Sequence, residues 1–330
     1  MSRGMPMDIL FLTEGTTVPA SRFRVEQFIP HFETRGINCT VRSAYGDLYN
    51  TISSTPFGAP YKLLWRLKRA LHGLRAHSYD VVFLQRPALP FTALPEKIVA
   101  QINPRTIFDV DDAIFIGPDG SVDPHRRRAF EDELELARHI ICGNNYLAGL
   151  APHDKTTMIP TVIDTDRYTP AETTAEDKDP VIIGWMGTSG NFPFLEDVAP
   201  VLRDVLEVRP NARVRLVSNA PFEPLADHPR VEQPRWSKDL EIDLLRSFDI
   251  GLMPLEDSEL TRGKCGFKMI QYMAAGIPVV ASAVGANIDI FEESNAGFLL
   301  DDWAEGTEPI VKLVDDSDLR LRQGRSGRQH

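Results

Sequence analysis

The sequence predicts an α/β protein built of two doubly wound halves, each a parallel sheet covered by helices on both faces. Three observations predict it. Short apolar runs alternate with amphipathic segments along most of the 330 residues. The runs are nearly continuous rather than alternately polar, as strands buried on both faces must be. The alternation breaks once, at residues 169–180 (TPAETTAEDKDP), a polar, acidic, proline-bounded stretch with the composition of an exposed linker.

Taken in order, the strand-like runs before the break are 9–12 (ILFL), 81–84 (VVFL), 106–110 (TIFDV) and 139–142 (HIIC). After it come 181–186 (VIIGWM), 213–217 (RVRLV), 249–254 (DIGLMP), 278–281 (PVVA) and 297–300 (GFLL). Behind the first run, Val25, Phe28, Ile29 and Phe32 recur at helical spacing, with Ser21 as the expected N-cap and Gly36 just past the end. The run at 181–186 leads into Gly187 as a new doubly wound domain would. The expected domains are therefore 1–168 and 181–330, joined by 169–180. In such sheets ligands bind beyond the carboxyl ends of the strands, so two halves facing each other would enclose one cleft.

Composition narrows the function. The balance of 42% hydrophobic and 25% charged residues is that of a globular protein, and a net charge of −11 excludes bulk nucleic acid as the main partner. The excess falls mainly in the second half, −8 over residues 181–330 against −3 before them. Three widely spaced cysteines, Cys39, Cys142 and Cys265, make neither a disulfide framework nor a zinc array, which fits a reducing compartment. The first apolar run is too short for a signal peptide, and no stretch approaches a membrane span, so a cytoplasmic location is expected.

The segment 261–282 (TRGKCGFKMIQYMAAGIPVVAS) carries the most chemistry. Gly263 and Gly266 permit close approach of backbone to a ligand. A helix beginning nearby offers free N–H groups and a positive dipole end, and Lys264 and Lys268, at i and i+4, would share one helical face. Together they describe an anion site suited to phosphate. The plainer alternative is an amphipathic helix with solvated lysines.

Gly266-Phe267 followed by MAAGIPVVAS resembles the nucleotide-sugar motif of retaining GT-B glycosyltransferases, the glycosyl transferases group 1 family. Further matches fall in the same order: VIDTDRY at 162–168, GWMGT at 184–188 and AGFL at 296–299. The resemblance covers most of the chain and is stronger in its second half. It implies the GT-B fold, two Rossmann-like domains with parallel sheets facing across a cleft. It also implies transfer of a sugar from a nucleotide-diphosphate-sugar, of UDP or GDP type, to a glycan, lipid-linked or small-molecule hydroxyl with retention. No metal and no cofactor beyond this donor are implied.

Two departures from the family bear on mechanism. The family's two glutamates, eight positions apart, fall here on Gly263 and Gln271; the glutamine can still bond ribose hydroxyls, but the glycine offers only backbone. The Arg and Lys that commonly follow the first strand of the second domain are replaced by TSGNF at 188–192. Lys264 and Lys268 are then the expected source of charge for the leaving diphosphate. Gly187, Thr188, Ser218 and Asn219, behind the first two strands of that domain, complete the expected donor pocket with Gly263, Gly266, Phe267 and Gln271.

In the first domain, FDVDD at 108–112 ends a strand. Asp111 and Asp112 are expected to position the acceptor or to stabilise positive charge at the anomeric carbon, the alternative being a turn or helix cap. The DxD match of Asp109 and Asp111 is too short to imply a metal site. Ser21, Arg22 and Arg24 stand where this fold places a substrate loop, either facing the acceptor or as a cap with two solvated arginines. Asn144 and Asn145 read as a helix cap. Residues 48–79 contain no carboxylate; from 61 to 78, Leu63, Leu64, Leu67, Ala70, Leu71 and Leu74 keep helical period among five basic residues. Such a helix either packs its leucines on the sheet or lies on an anionic membrane as a peripheral contact.

The expected function is a hexosyltransferase-type glycosyltransferase of polysaccharide or glycolipid biosynthesis, cytoplasmic or peripheral on the inner membrane face. Rival readings are a GT-B nucleotide-sugar 2-epimerase and a catalytically silent nucleotide-sugar-binding scaffold. A nicotinamide oxidoreductase lacks its glycine fingerprint. The final segment, 318–330, reads as a helix after which the chain stops short of the return helix usual in the fold.

Overall fold

The computed structural model describes residues 7–16, 18–46, 52, 55–117, 120–171 and 179–330; most of the expected linker, 172–178, lies outside the described residues. The chain divides into two compact units, one holding 1–162 and Gly263–Cys265, the other 163–262 and 266–330.

The first unit is a six-stranded parallel sheet in the order β2-β1-β3-β4-β5-β6. Its strands are β1 (Met7–Gly15), β2 (Ile37–Tyr45), β3 (Val81–Gln85), β4 (Thr106–Val110), β5 (His139–Cys142) and β6 (Thr156–Met158). Its helices are α1 (Pro19–Arg24), α2 (Ile29–Glu33), α3 (Gly58–Gly73), α4 (Leu94–Ile102), α5 (Pro124–Leu136) and α6 (Asn145–Gly149). Leu10 pairs with Val82, and Phe108 with Leu84 and Ile140, so the apolar runs lie side by side in the middle of the sheet.

The second unit is also a six-stranded parallel sheet, in the order β12-β11-β10-β7-β8-β9. Its strands are β7 (Val181–Met186), β8 (Ala212–Val217), β9 (Val231–Glu232), β10 (Ile250–Met253), β11 (Val279–Ser282) and β12 (Gly297–Leu300). The helices are α7 (Pro193–Glu196), α8 (Val198–Val208), α9 (Glu241–Arg246), α10 (Glu259–Arg262), α11 (Phe267–Ala274), α12 (Ala286–Ser294), α13 (Thr307–Asp315) and α14 (Ser317–Gln329). Val198, Leu202, Val205 and Leu206 of α8 join Val214 and Leu216 in its buried core.

These orders place a topological switch point between β1 and β3 in one unit and between β7 and β10 in the other, where open α/β sheets bind ligands. Two strand glycines set the second point. A Cβ on Gly184 would lie 2.0 Å from the Phe248 ring, and one on Gly251 2.5 Å from the Tyr272 ring. Without side chains these positions let two aromatic rings lie on the strands, and Tyr272 anchors α11 there.

Three expectations are corrected. The strands β2, β6 and β9 were not expected; β2 mixes polar and apolar residues, as an edge strand does, and β9 is two residues long. The helix behind β1 is broken, with a 3₁₀ turn over Glu26–Phe28 between α1 and α2, and its N-cap is Val18 rather than Ser21. The third correction concerns α3. Its leucines do not serve the core: Leu63, Leu64, Leu67, Leu71 and Leu74 are exposed, Leu64 by 66% and Leu71 by 64%. Arg69 is the inward residue, 2% exposed, donating to the carbonyls of Gln85 (3.1 Å), Arg86 and Pro87 (3.3 Å) at the end of β3. Arg66 reaches the Tyr45 hydroxyl at 2.6 Å. Carbonyls without strand partners drew Arg69 inward, while Lys68 and Arg75 stay exposed beside the leucines.

Candidate functional site

Beyond β7 the chain turns at Gly187, whose N–H bonds the Val217 carbonyl at 3.0 Å. Exposed Thr188 follows. The next turn is tied to the end of β8, where Asn219 accepts from the Ser189 N–H (2.8 Å) and donates to its hydroxyl (3.1 Å). Ser218 is buried beside it. A Cβ on Gly187 would stand 2.9 Å from Lys268 Cε, so the Lys268 stem lies across this turn, its Nζ 5.8 Å from the Trp185 ring centre. Gln271 follows one helical turn later, 5% exposed, and its side-chain amide makes no hydrogen bond to a described residue. The Tyr272 hydroxyl accepts from the Met186 N–H at 3.1 Å, which holds α11 against β7. The structure therefore brings Gly187, Thr188, Ser218, Asn219, Lys268 and Gln271 to the carboxyl edge of one sheet.

Lys264 does not share a helical face with Lys268. Gly266 adopts φ +63°, in the left-handed region, and α11 begins only at Phe267, which is half-buried. A residue there with φ > 0 interrupts the helix, so Lys264 lies in the loop before it.

Lys264 is placed instead within the first unit, with Gly263 and Cys265. Asn144 caps α6, accepting from the Leu147 N–H at 2.8 Å, and its amide donates to the Lys264 carbonyl at 3.0 Å. The Cys265 thiol donates to the Asp111 carbonyl at 3.1 Å; burial and then Asp111 push its pKa up, so it is no nucleophile. A Cβ on Gly263 would be 2.6 Å from the Ala113 methyl and 2.8 Å from the Ala113 nitrogen. A side chain at 263 has no room in this arrangement, which is the physical content of the missing glutamate.

Asp111 and Asp112 are gathered by a residue that sequence reasoning did not single out. Arg86, behind β3, donates to Asp111 at 3.0 Å, to Asp112 at 3.3 Å and to Glu14 at 3.3 Å. Burial works against its charge, but the three carboxylates outweigh it and hold the guanidinium well above its ordinary range. Its φ of +62° is strained for a non-glycine residue, by about 1–3 kcal/mol. No local pattern marks it: its partners come from the ends of two other strands, β1 and β4.

The loop 18–24 differs from expectation. Ser21 accepts from the Gly15 N–H (3.1 Å) and donates to Gln85 (3.1 Å). Arg22 is buried against the Phe23 ring. Arg24 is neither solvated nor turned to a ligand: its Nε bonds both Asp109 oxygens (3.0 and 2.8 Å), Nη2 bonds one at 2.5 Å, and Nη1 reaches the Ile159 carbonyl and Thr161. Burial pushes the Asp109 carboxyl up to about 6 against the pull of Arg24. Asp109 is thus taken up internally, and among the described residues no group of three His, Cys, Asp or Glu side chains is placed to hold a metal ion.

Residues 181–316 match the glycosyl transferases group 1 family. This is the part of the chain that carries the Gly187 turn, Lys268 and Gln271. No curated protein matches the chain in sequence. Among solved structures, the chain is similar to Anabaena HepE in complex with UDP and glucose, at 17% identity and a TM-score of 0.69, over 98% of this chain and 94% of that one. A glycosyltransferase from Rickettsia africae has a TM-score of 0.69 at 14% identity, over 99% and 93% of the two chains. WaaG, a glycosyltransferase of lipopolysaccharide biosynthesis, has a TM-score of 0.68 at 14% identity, over 98% and 94%. At such identity the likeness establishes the fold, which is the GT-B pairing of two Rossmann-like units expected from the sequence.

Proposed function

We propose that the protein is a glycosyltransferase that moves a hexosyl group from a UDP- or GDP-sugar to a hydroxyl acceptor with retention. The observation that carries this reading is the Lys268 stem lying across the Gly187 turn, beside an unbonded Gln271 amide, at the switch point of the sheet whose residues match the family. Solved relatives of the fold hold UDP and UDP-glucose, which supports a nucleoside-diphosphate donor.

In this mechanism the diphosphate rests on the Gly187–Thr188 turn, the Lys268 ammonium and the N–H groups that open α11. These groups stabilise the negative charge that develops on the leaving oxygen. Gln271 bonds the ribose hydroxyls, and Ser218 and Asn219 line the base side. Nothing in this step needs a cofactor. Asp111 and Asp112, oriented by Arg86, position the acceptor hydroxyl. Arg24 and Ser21 support that edge from inside.

The acceptor is proposed to be lipid-linked. The exposed leucines of α3, flanked by Lys68 and Arg75, give the first unit a face that is apolar and basic at once, suited to an anionic bilayer. No helix among the described residues is long and apolar enough to cross a membrane, and the contact proposed is peripheral, on the cytoplasmic side.

A silent nucleotide-sugar-binding scaffold is the second reading, favoured by the absence of room for a carboxylate at 263. A thermal-shift series with UDP and GDP, followed by a donor-hydrolysis assay on the better binder, separates them. Binding with slow hydrolysis supports a transferase; binding with none supports the scaffold; binding of neither nucleotide removes both.

A further inference from the structure

The second unit has a cavity at the other end of its sheet. It is about 230 Å³ and is lined by Phe248 and Asp249, which precede β10, and by Ile277 and Pro278, which precede β11. It therefore opens at the amino ends of the strands, whereas Gly187 and Lys268 stand at the carboxyl ends.

Four arginines line this cavity: Arg246 at the end of α9, and Arg320, Arg325 and Arg328 along α14. One carboxylate, Asp249, opposes them, and one of its oxygens accepts from the Ile182 N–H at 2.8 Å. Among the described residues no carboxylate lies within ion-pair distance of any of the four. Their hydrogen bonds go to neutral acceptors. Arg246 donates to the Thr169 carbonyl (2.8 Å) and hydroxyl, Arg328 to the carbonyls of Thr165 (2.7 Å), Tyr168 and Ala274, and Arg320 to those of Leu313 (2.6 Å) and Val314 (3.0 Å).

Arg320 is the decisive residue. It is 4% exposed, and its Nε is buried with no hydrogen-bond partner. Burial pushes its guanidinium below the ordinary value. A buried cation with a donor left unbonded is costly unless an anion completes it. Pockets for drug-sized ligands usually measure about 300–1,000 Å³, so this one is too small for a nucleotide-sugar and suits a single small anion. Planar guanidinium groups match phosphate oxygens in pairs.

We propose that this cavity is a second anion site, distinct from the donor turn, that binds a phosphate or diphosphate group. The bound anion ties α14 to α9 and to the segment 165–169, so it stabilises the unit that carries the donor turn.

The test is isothermal titration of the full chain with inorganic phosphate and with diphosphate, at ionic strength held constant with chloride. Variants are Arg325→Glu, Arg320→Met and, for the donor turn, Lys268→Ala. Arg325 is exposed and its side chain makes no hydrogen bond to a described residue, so its replacement leaves the fold intact even if Arg320→Met does not. The expected result, read in the Lys268→Ala background that disables the donor turn, is binding that remains there and that Arg325→Glu weakens about tenfold or more. Stronger binding of diphosphate than of phosphate identifies the larger group as the ligand, and the reverse identifies the smaller. Absence of binding, equal binding by Arg325→Glu, or binding lost only in Lys268→Ala overturns the proposal. The last outcome would still support the donor site.

Discussion

Gly263 lies against Ala113 so closely that a Cβ on the glycine would stand 2.6 Å from the alanine methyl. The contact fixes the loop 263–265 on the backbone that carries Asp111 and Asp112. A substitution of Gly263 by Ala should therefore destabilise the protein by about 1–3 kcal/mol, as overpacking does. Asp112→Asn should lower kcat by about a hundredfold while leaving nucleoside-diphosphate affinity unchanged. Thermal denaturation and steady-state kinetics measure the two effects; a stable Gly263→Glu variant with raised activity would contradict both.

Lys268 and Lys264, alike in sequence, are unlike in place. Lys268 crosses the Gly187 turn, and Lys264 precedes the left-handed Gly266 with its carbonyl held by Asn144. Lys268→Ala should weaken diphosphate binding by about 1.5–3 kcal/mol, the range of a charge-assisted hydrogen bond, and Lys264→Ala by less. Titration with UDP or GDP reads the difference. Equal losses would return the two lysines to a single anion site.

The leucine face of α3 separates a membrane role from a packing role. Leu64→Ser with Leu71→Ser should leave the melting temperature within a degree or two of the parent, because both side chains are already in water, yet abolish sedimentation with anionic liposomes at low salt. Arg69→Ala, by contrast, should destabilise the fold by about 2–4 kcal/mol, because it strands three carbonyls at the end of β3. Absence of liposome binding by the parent protein would remove the membrane contact.

Strands at both switch points were legible because they are unbroken apolar runs, from ILFL at 9–12 to VIIGWM at 181–186, and burial on two faces demands that pattern. Lys268 and Gln271 were legible because a local motif places them. Arg86 was not, since its three partners are supplied by strand ends 25 to 72 residues away. The orientation of α3 is open in the sequence for a related reason. Periodicity shows that a helix has an apolar and a basic side, but which side turns inward depends on what waits there, here the carbonyls that receive Arg69. Neither sequence alternative for Arg24, acceptor contact or solvation, holds, because its partner, Asp109, is 85 residues off on another strand.

Glu133 of α5 is buried with neither carboxyl oxygen hydrogen-bonded, and it shares a cavity of about 10 Å³ with Glu96. Burial, and then the nearby Glu96, push its pKa well above the ordinary 4.5, with Arg69 pulling the other way. The unfolded chain therefore releases this proton near pH 4.5, while the folded chain keeps it to higher pH. Stability from this group is complete below that value and declines as pH rises toward the folded pKa. Glu133→Gln removes the titration but keeps the shape. The variant should match the parent near pH 4 and become progressively more stable than it as pH rises through 5 and 6 toward neutrality, which urea unfolding at stepped pH measures. A constant difference across that range would show that Glu133 titrates as a solvated carboxylate does.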